Sequence, residues 1–315
     1  MTGAVVLLKR MFFPFVFACA AFVLPAVYSL SPFSASETVD ADVFQSGIDI
    51  YLNQGSLVSC MDLDEYLVGV VAASIEPDCH PETIKAQAVI SRTNIMGILG
   101  NRKSIDAHEL NQPYLSSSAL KSKFGSNFNE VYSKYKAGVL AVPGEIITYE
   151  NSPVSAPFFK CGTGKTRPAS AVFGSDMPYL VSVDSPADKT CPDALCTQTI
   201  TCEAFISRML SYDRNFFATP KSLADTVQIV KTEASGYVET IQVGNLSVSG
   251  NDLRYLFDLP SAAFTVKITG DTVTFSSTGI GHGVGFSQYG ADAMAKEGKT
   301  YKELLGYYYP GTVIN

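Results

Sequence analysis

The sequence predicts an α+β fold on three observations. Helical and strand patterns fall in separate blocks, where a parallel α/β sheet would need them to alternate. Helical periodicity concentrates near both ends of residues 47–315, and strand alternation concentrates between residues 226 and 275. The chain has 315 residues, of which 46% are hydrophobic and 17% charged, enough for a sizeable core and too apolar for wholesale disorder. The formal charge of −7, with no basic stripe, excludes a nucleic-acid partner, which needs Lys and Arg against phosphates.

The elements follow in order. Lys9 and Arg10 precede an apolar run from Met11 to about Leu30, interrupted by Pro14, Pro25 and Ser29. A bilayer span needs roughly 20 apolar residues and a signal-peptide core about 7–15, so this run spans, with its basic flank in the cytoplasm. Ser34-Ala35-Ser36 are small enough for cleavage, although Phe33 is ill-suited to a site at Ala35. Residues 1–31 are read as an uncleaved signal-anchor, 32–46 as a stalk, and 47–315 as one extracytoplasmic domain of a single-pass membrane protein.

A strand pair is expected over Ile48–Ser59, turning at Asn53-Gln54-Gly55. Asp62 then reads as a helix N-cap, with Glu65 three residues later and Met61 and Tyr66 placed as a staple. This helix must stop before Pro77. Pro81 and Glu82 open a second helix, whose Ile84, Ala88, Ser91 and Ile95 form one apolar stripe. Residues 97–130 are polar and give few signals. A helix over Val131–Val142 and a strand over Glu145–Tyr149 follow. Alternation then predicts strands over Thr226–Lys231, Tyr237–Val243, Phe264–Ile268 and Thr272–Phe275, with Gly270-Asp271 turning between the last two. Two closing helices end at Gly298 and begin at a Thr300/Glu303 capping box.

Cys19 lies in the apolar run, leaving Cys60, Cys79, Cys161, Cys191, Cys196 and Cys202 outside it. An even set outside the cell invites disulfides. Cys191, Cys196 and Cys202, with Cys161, also offer ligands to a structural zinc, but the spacing lacks the tight pairs of such sites. Disulfides or free thiols are preferred, and no cofactor is expected.

The histidines are His80, His108 and His282, and no Gly-x-Ser-x-Gly elbow accompanies them. Gly162-Thr163-Gly164-Lys165-Thr166 evokes a phosphate loop, but Phe159 stands where the first glycine is required. The segment from Gly281 to Gly290 is glycine-rich. Its His282, Ser287, Gln288 and Tyr289 suit a polar sugar, or equally a tight strand-to-helix turn with His282 satisfied inside it.

Two separated blocks resemble the ends of the stage II sporulation protein D domain. The first is Leu63-Asp64-Glu65-Tyr66-Leu67-Val68-Gly69-Val70-Val71-Ala72-Ala73, continuing through Lys85-Ala86-Gln87-Ala88-Val89 to Arg92-Thr93. The second is Gly281-His282-Gly283-Val284-Gly285-Phe286-Ser287-Gln288-Tyr289-Gly290-Ala291, continuing to Tyr308-Tyr309-Pro310-Gly311-Thr312. Pro178-Tyr179-Leu180-Val181-Ser182-Val183 also fits, and the resemblance runs from about residue 47 to the end.

The resemblance implies a glycan-binding cleft and a lytic transglycosylase acting on peptidoglycan, leaving 1,6-anhydromuramoyl ends. It further implies sporulation partners: a wall amidase and a membrane complex of the engulfing cell. One carboxyl group suffices for such chemistry, first as acid and then as base, and a raised pKa keeps it protonated. The family's acid is a glutamate in a Glu-Met-Pro step. Ungapped spacing from Gly69 to Lys85 puts Ser74 there, and a serine hydroxyl is far too weak. Glu76 is the remaining candidate acid, against a solvated loop residue. Arg92, His282, Ser287, Gln288 and Tyr289 are the candidate glycan contacts, with Arg92 equally placed to pair with an acidic neighbour. A second departure is Phe159-Lys160-Cys161-Gly162, where the family carries a histidine-led stretch. The alternative function is a catalytically impaired glycan binder that recruits or stimulates the amidase.

Overall fold

A computed structural model of the protein describes residues 44–54 and 57–315. The expected anchor, and the stalk up to residue 43, lie outside the described residues. No helix among the described residues is long and apolar enough to cross a membrane. The last stalk residues belong to the domain: Phe44 is buried, and Ser46 donates through its N–H and hydroxyl to Asp62 Oδ2 at 2.8 and 2.9 Å.

Strands β1 (Asp49–Gln54) and β2 (Leu57–Asp62) pair antiparallel, and β3 (Ser104–Asp106) joins β1 in parallel. Helix α1 (Leu63–Ser74) starts where Asp62 Oδ1 accepts the Asp64 N–H at 2.8 Å, so the cap reaches the second turn residue and leaves Glu65 outside the box. It stops at Ser74 because Ile75 is extended and Glu76 precedes a proline. Helix α2 (Pro81–Leu99) has Pro81 in its first turn, and His80 Nδ1 accepts the Glu82 N–H at 3.3 Å. Its expected stripe of Ile84, Ala88, Ser91 and Ile95 is buried, and Ala86, Val89 and Ile90 widen it into a nearly encircled helix.

The helix Phe128–Leu140 packs on both α1 and α2. Together with the closing helices Gln288–Lys296 and Tyr301–Tyr308 they enclose a first hydrophobic core. A second core lies within residues 202–275, where Phe205 stacks on Phe257 at 4.8 Å and both face Phe275. Two three-stranded antiparallel sheets surround it. One has Val238–Val243 between Leu246–Ser249 and Val227–Thr232, and the other has Thr272–Thr278 between Phe264–Thr269 and Leu195–Thr201. Separate helical and antiparallel regions make this an α+β fold.

Arg167, fully buried, links the parts. Its guanidinium grips Glu233 through two hydrogen bonds of 2.9 and 2.5 Å, reaches Asn251 Oδ1 at 2.9 Å, and donates to the His282 carbonyl at 3.2 Å. Such a fork satisfies a buried charge with planar, bidentate bonds.

Candidate functional site

The two sequence blocks meet at the end of α1. Ser74 closes the helix with its hydroxyl turned back to the Val70 carbonyl at 2.7 Å, the local bond a serine makes inside a helix. Gln288, at the start of the Gln288–Lys296 helix, donates through Nε2 to the Ser74 carbonyl at 2.7 Å and to Gln87 Oε1 at 3.0 Å. A parallel two-residue pairing of Phe286–Ser287 with Phe158–Phe159 sets this junction, and the Tyr289 N–H donates to the Lys160 carbonyl at 2.9 Å. Ser74, Gln288, Tyr289 and Lys160 thus share one neighbourhood.

Glu76 lies two residues beyond Ser74 and is exposed. Tyr135 donates to the Ile75 carbonyl at 2.7 Å and pins the chain there. Lys160 is a cation that feels the charge of Glu76. Burial pulls its ammonium down, but Asp193 at 2.9 Å, with Glu76 adding charge, holds it above its ordinary range. A general acid near neutral pH needs a desolvated surrounding that favours the neutral carboxyl. Glu76 is exposed to solvent, so no burial supplies that desolvation.

The remaining candidates turn inward. Arg92 is buried and pairs with Asp64 at 2.8 Å while donating to the Val142 carbonyl at 2.6 Å, so it braces α1 against α2 and presents nothing to a glycan. His282 is buried between Phe159 and Phe173, with ring centroids at 6.0 and 6.2 Å, and its Nδ1 accepts the Val284 N–H at 3.0 Å. Burial, then the charges of Arg254 and Arg167, press its imidazole down to about 3, so it is neutral at physiological pH. Ser287 is fully buried, donates to Asp188 Oδ1 at 2.6 Å, and caps the following helix through the Gly290 N–H. Tyr289 keeps its ring half exposed and donates to the Thr190 carbonyl at 3.2 Å.

The glycines that suggested close approach of a ligand serve close approach of the protein to itself. Gly283 and Gly285 take left-handed φ of 79° and 77°. A Cβ on Gly283 would sit 2.5 Å from the Tyr237 hydroxyl, and one on Gly285 would sit 2.2 Å from the Pro157 carbonyl.

Sequence reasoning missed three residues here. Asp188 is the buried acceptor behind Ser287, and burial raises its carboxyl despite hydrogen bonds from Ser287 and the Gly162 N–H. Asp292 Oδ1 accepts the His80 N–H at 2.6 Å and the Thr83 hydroxyl at 3.2 Å, tying α2 to the glycine-rich block. Lys160 is the third, and its place beside Phe159 in the altered stretch was the available signal. Cys79-His80 forms a packed turn: burial, then Asp292 and Asp78, pushes the Cys79 thiol up to about 12. Cys196 is exposed and Cys202 sits in the second core, away from Cys161 and Cys191 in their own cluster. Among the described residues no group of three or more His, Cys, Asp or Glu side chains is gathered to hold a metal ion.

A family model described as Stage II sporulation protein matches residues 51–149. Stage II sporulation protein D of Bacillus subtilis (strain 168) is 35% identical over 277 residues, covering 85% of this chain and 78% of that protein. The protein of that name from Bacillus amyloliquefaciens gives the same identity and coverage. The amidase enhancer of Bacillus subtilis (strain 168) is 24% identical over 299 residues, 79% of this chain and 40% of that protein. With 35% identity reaching over 85% of its length to stage II sporulation protein D, this chain belongs to the stage II sporulation protein D family.

Proposed function

We propose that this chain is a sporulation protein that holds cell-wall glycan strands without cutting them, and that it presents those strands to a wall amidase. The observation that carries the reading is the end of α1. The position that should hold a protonated carboxyl holds Ser74, whose hydroxyl is already committed to Val70. A serine hydroxyl cannot protonate a glycosidic oxygen, and losing a positioned acid typically costs about 10²–10⁴-fold in rate. The amidase enhancer among its relatives supports the partner. The apolar run near the N-terminus supports attachment to the membrane, with the main domain outside the cell.

Lytic transglycosylase activity through Glu76 is the competing reading, favoured by the nearness of this carboxylate to Lys160 and Tyr135. Peptide-stripped glycan strands separate the two. On the holding reading the strands bind and mass spectrometry finds no anhydro ends. Anhydro ends made by the parent chain and lost in Glu76→Gln would establish the competing one.

A further inference from the structure

Two cysteines that the proposed function does not use are brought together by rigid backbone. Cys161 and Ile280 exchange hydrogen bonds, with the Cys161 N–H reaching the Ile280 carbonyl at 3.3 Å and the Ile280 N–H reaching the Cys161 carbonyl at 2.8 Å. One residue earlier, the Gly279 N–H donates to the Ala194 carbonyl at 2.7 Å, and the Ala194 N–H donates to the Cys191 carbonyl at 3.1 Å. The 279–280 step therefore fixes both cysteine-bearing segments from one side. Cys161 and Cys191 are 1% and 6% exposed, share one apolar cluster with Ala194, Ile280 and Tyr289, and lie close enough for their thiols to hydrogen-bond. The other described cysteines lie elsewhere: Cys60 and Cys196 are exposed, Cys79 packs beside Asp292, and Cys202 lies in the second core.

We propose that Cys161 and Cys191 form an intramolecular disulfide that locks the segment carrying Arg167 and Asp188 beneath the glycine-rich turn. The inference rests on the proposed placement outside the cell only for where the bond forms, since disulfides persist in oxidising compartments. The oxidant is a protein or small-molecule disulfide. Cys191, the more exposed thiol, loses its proton and attacks one oxidant sulfur, breaking the oxidant's S–S bond and releasing a thiol. Cys161 then loses its proton and displaces the second oxidant sulfur as a thiol, forming the Cys161–Cys191 bond. Two cysteines are oxidised, and one oxidant disulfide is reduced by two electrons. Because both sulfurs end up buried, the bond forms as the chain folds and afterwards resists reduction. Burial also keeps the Cys161 thiol well above its ordinary range, so a reduced pair in the folded chain reacts slowly with chance oxidants.

The test equilibrates the full chain in glutathione mixtures, quenches with acid, alkylates in denaturant, digests with trypsin and identifies linked peptides by mass spectrometry. The expected product joins the peptide Cys161–Lys165 to the peptide Thr190–Arg208, with fragment ions placing the link at Cys191 and the alkyl labels on Cys196 and Cys202, and it survives about a tenfold excess of reduced over oxidised glutathione. The oxidised chain should melt about 5 °C or more above the reduced chain, a difference abolished alike in Cys161→Ser, Cys191→Ser and the double variant. Both thiols alkylated at every mixture would overturn the proposal. So would a link through Cys196 or Cys202, or a bound zinc that shields both thiols. None of these outcomes depends on glycan binding, so failure here leaves the proposed function standing.

Discussion

At the scale of single residues, polar side chains inside the glycine-rich turn and in α2 answer to internal partners. Arg92 finds Asp64, Ser287 finds Asp188, and His282 finds the Val284 N–H. The residue types were legible in the sequence. Their direction was not, because a donor-rich turn looks the same whether its donors face a sugar or a buried carboxylate. The partner Asp188 lies 99 positions from Ser287 and nothing local announces it. His282 gives a prediction with a definite sign. Its folded pKa is about 3 against an unfolded 6.5, so the unfolded chain binds the extra proton between these values. Stability should therefore be complete above about pH 6.5 and fall by about 1.4 kcal/mol per pH unit as pH drops toward 3. Chemical denaturation at pH 7, 6 and 5 measures the slope, and His282→Asn, which keeps an acceptor near Val284, should flatten it. An unchanged slope in that variant would show that other groups carry the pH dependence.

At the scale of elements, sequence signals worked where they were long or chemically marked. The Thr300/Glu303 capping box is present in full, with the Thr300 N–H donating to Glu303 Oε2 at 2.9 Å and the Glu303 N–H donating to Thr300 Oγ1 at 3.4 Å. Thr300→Ala should cost about 1 kcal/mol and lower the thermal midpoint by about 2–4 °C. Gly283→Ala should cost more than this cap. It meets both a left-handed backbone and the buried Tyr237 hydroxyl, and thermal denaturation against the parent would read it. Between residues 97 and 130 the sequence was silent for a physical reason. Ser104–Asp106 is only three residues long and is a strand because distant β1 pairs with it, while Ser117–Phe124 buries one residue, Leu120.

At the scale of the whole molecule, two hydrophobic cores meet across Arg167 and Glu233. Removing one partner leaves a buried charge unpaired, so Arg167→Ala should destabilise by about 3–5 kcal/mol. The paired replacement Arg167→Met with Glu233→Leu should recover much of that loss, because hydrophobic residues of similar volume need no desolvation of charge. Urea unfolding of the two variants makes the comparison, and equal losses would contradict a charge-pair role. The α+β class and five of the ten α-helices among the described residues were readable in advance, whereas the helix Cys202–Tyr212 was not, and this junction depends on contacts 66 positions apart. The proposed function concerns the same assembly: on that reading the family frame is kept and Ser74 stands where the acid would be. Its most direct test incubates peptide-stripped glycan strands with the parent chain and with Ser74→Glu, followed by mass spectrometry of the strand ends. Both chains should bind the strands, and only Ser74→Glu should leave anhydro ends. Anhydro ends released by the parent chain would contradict it.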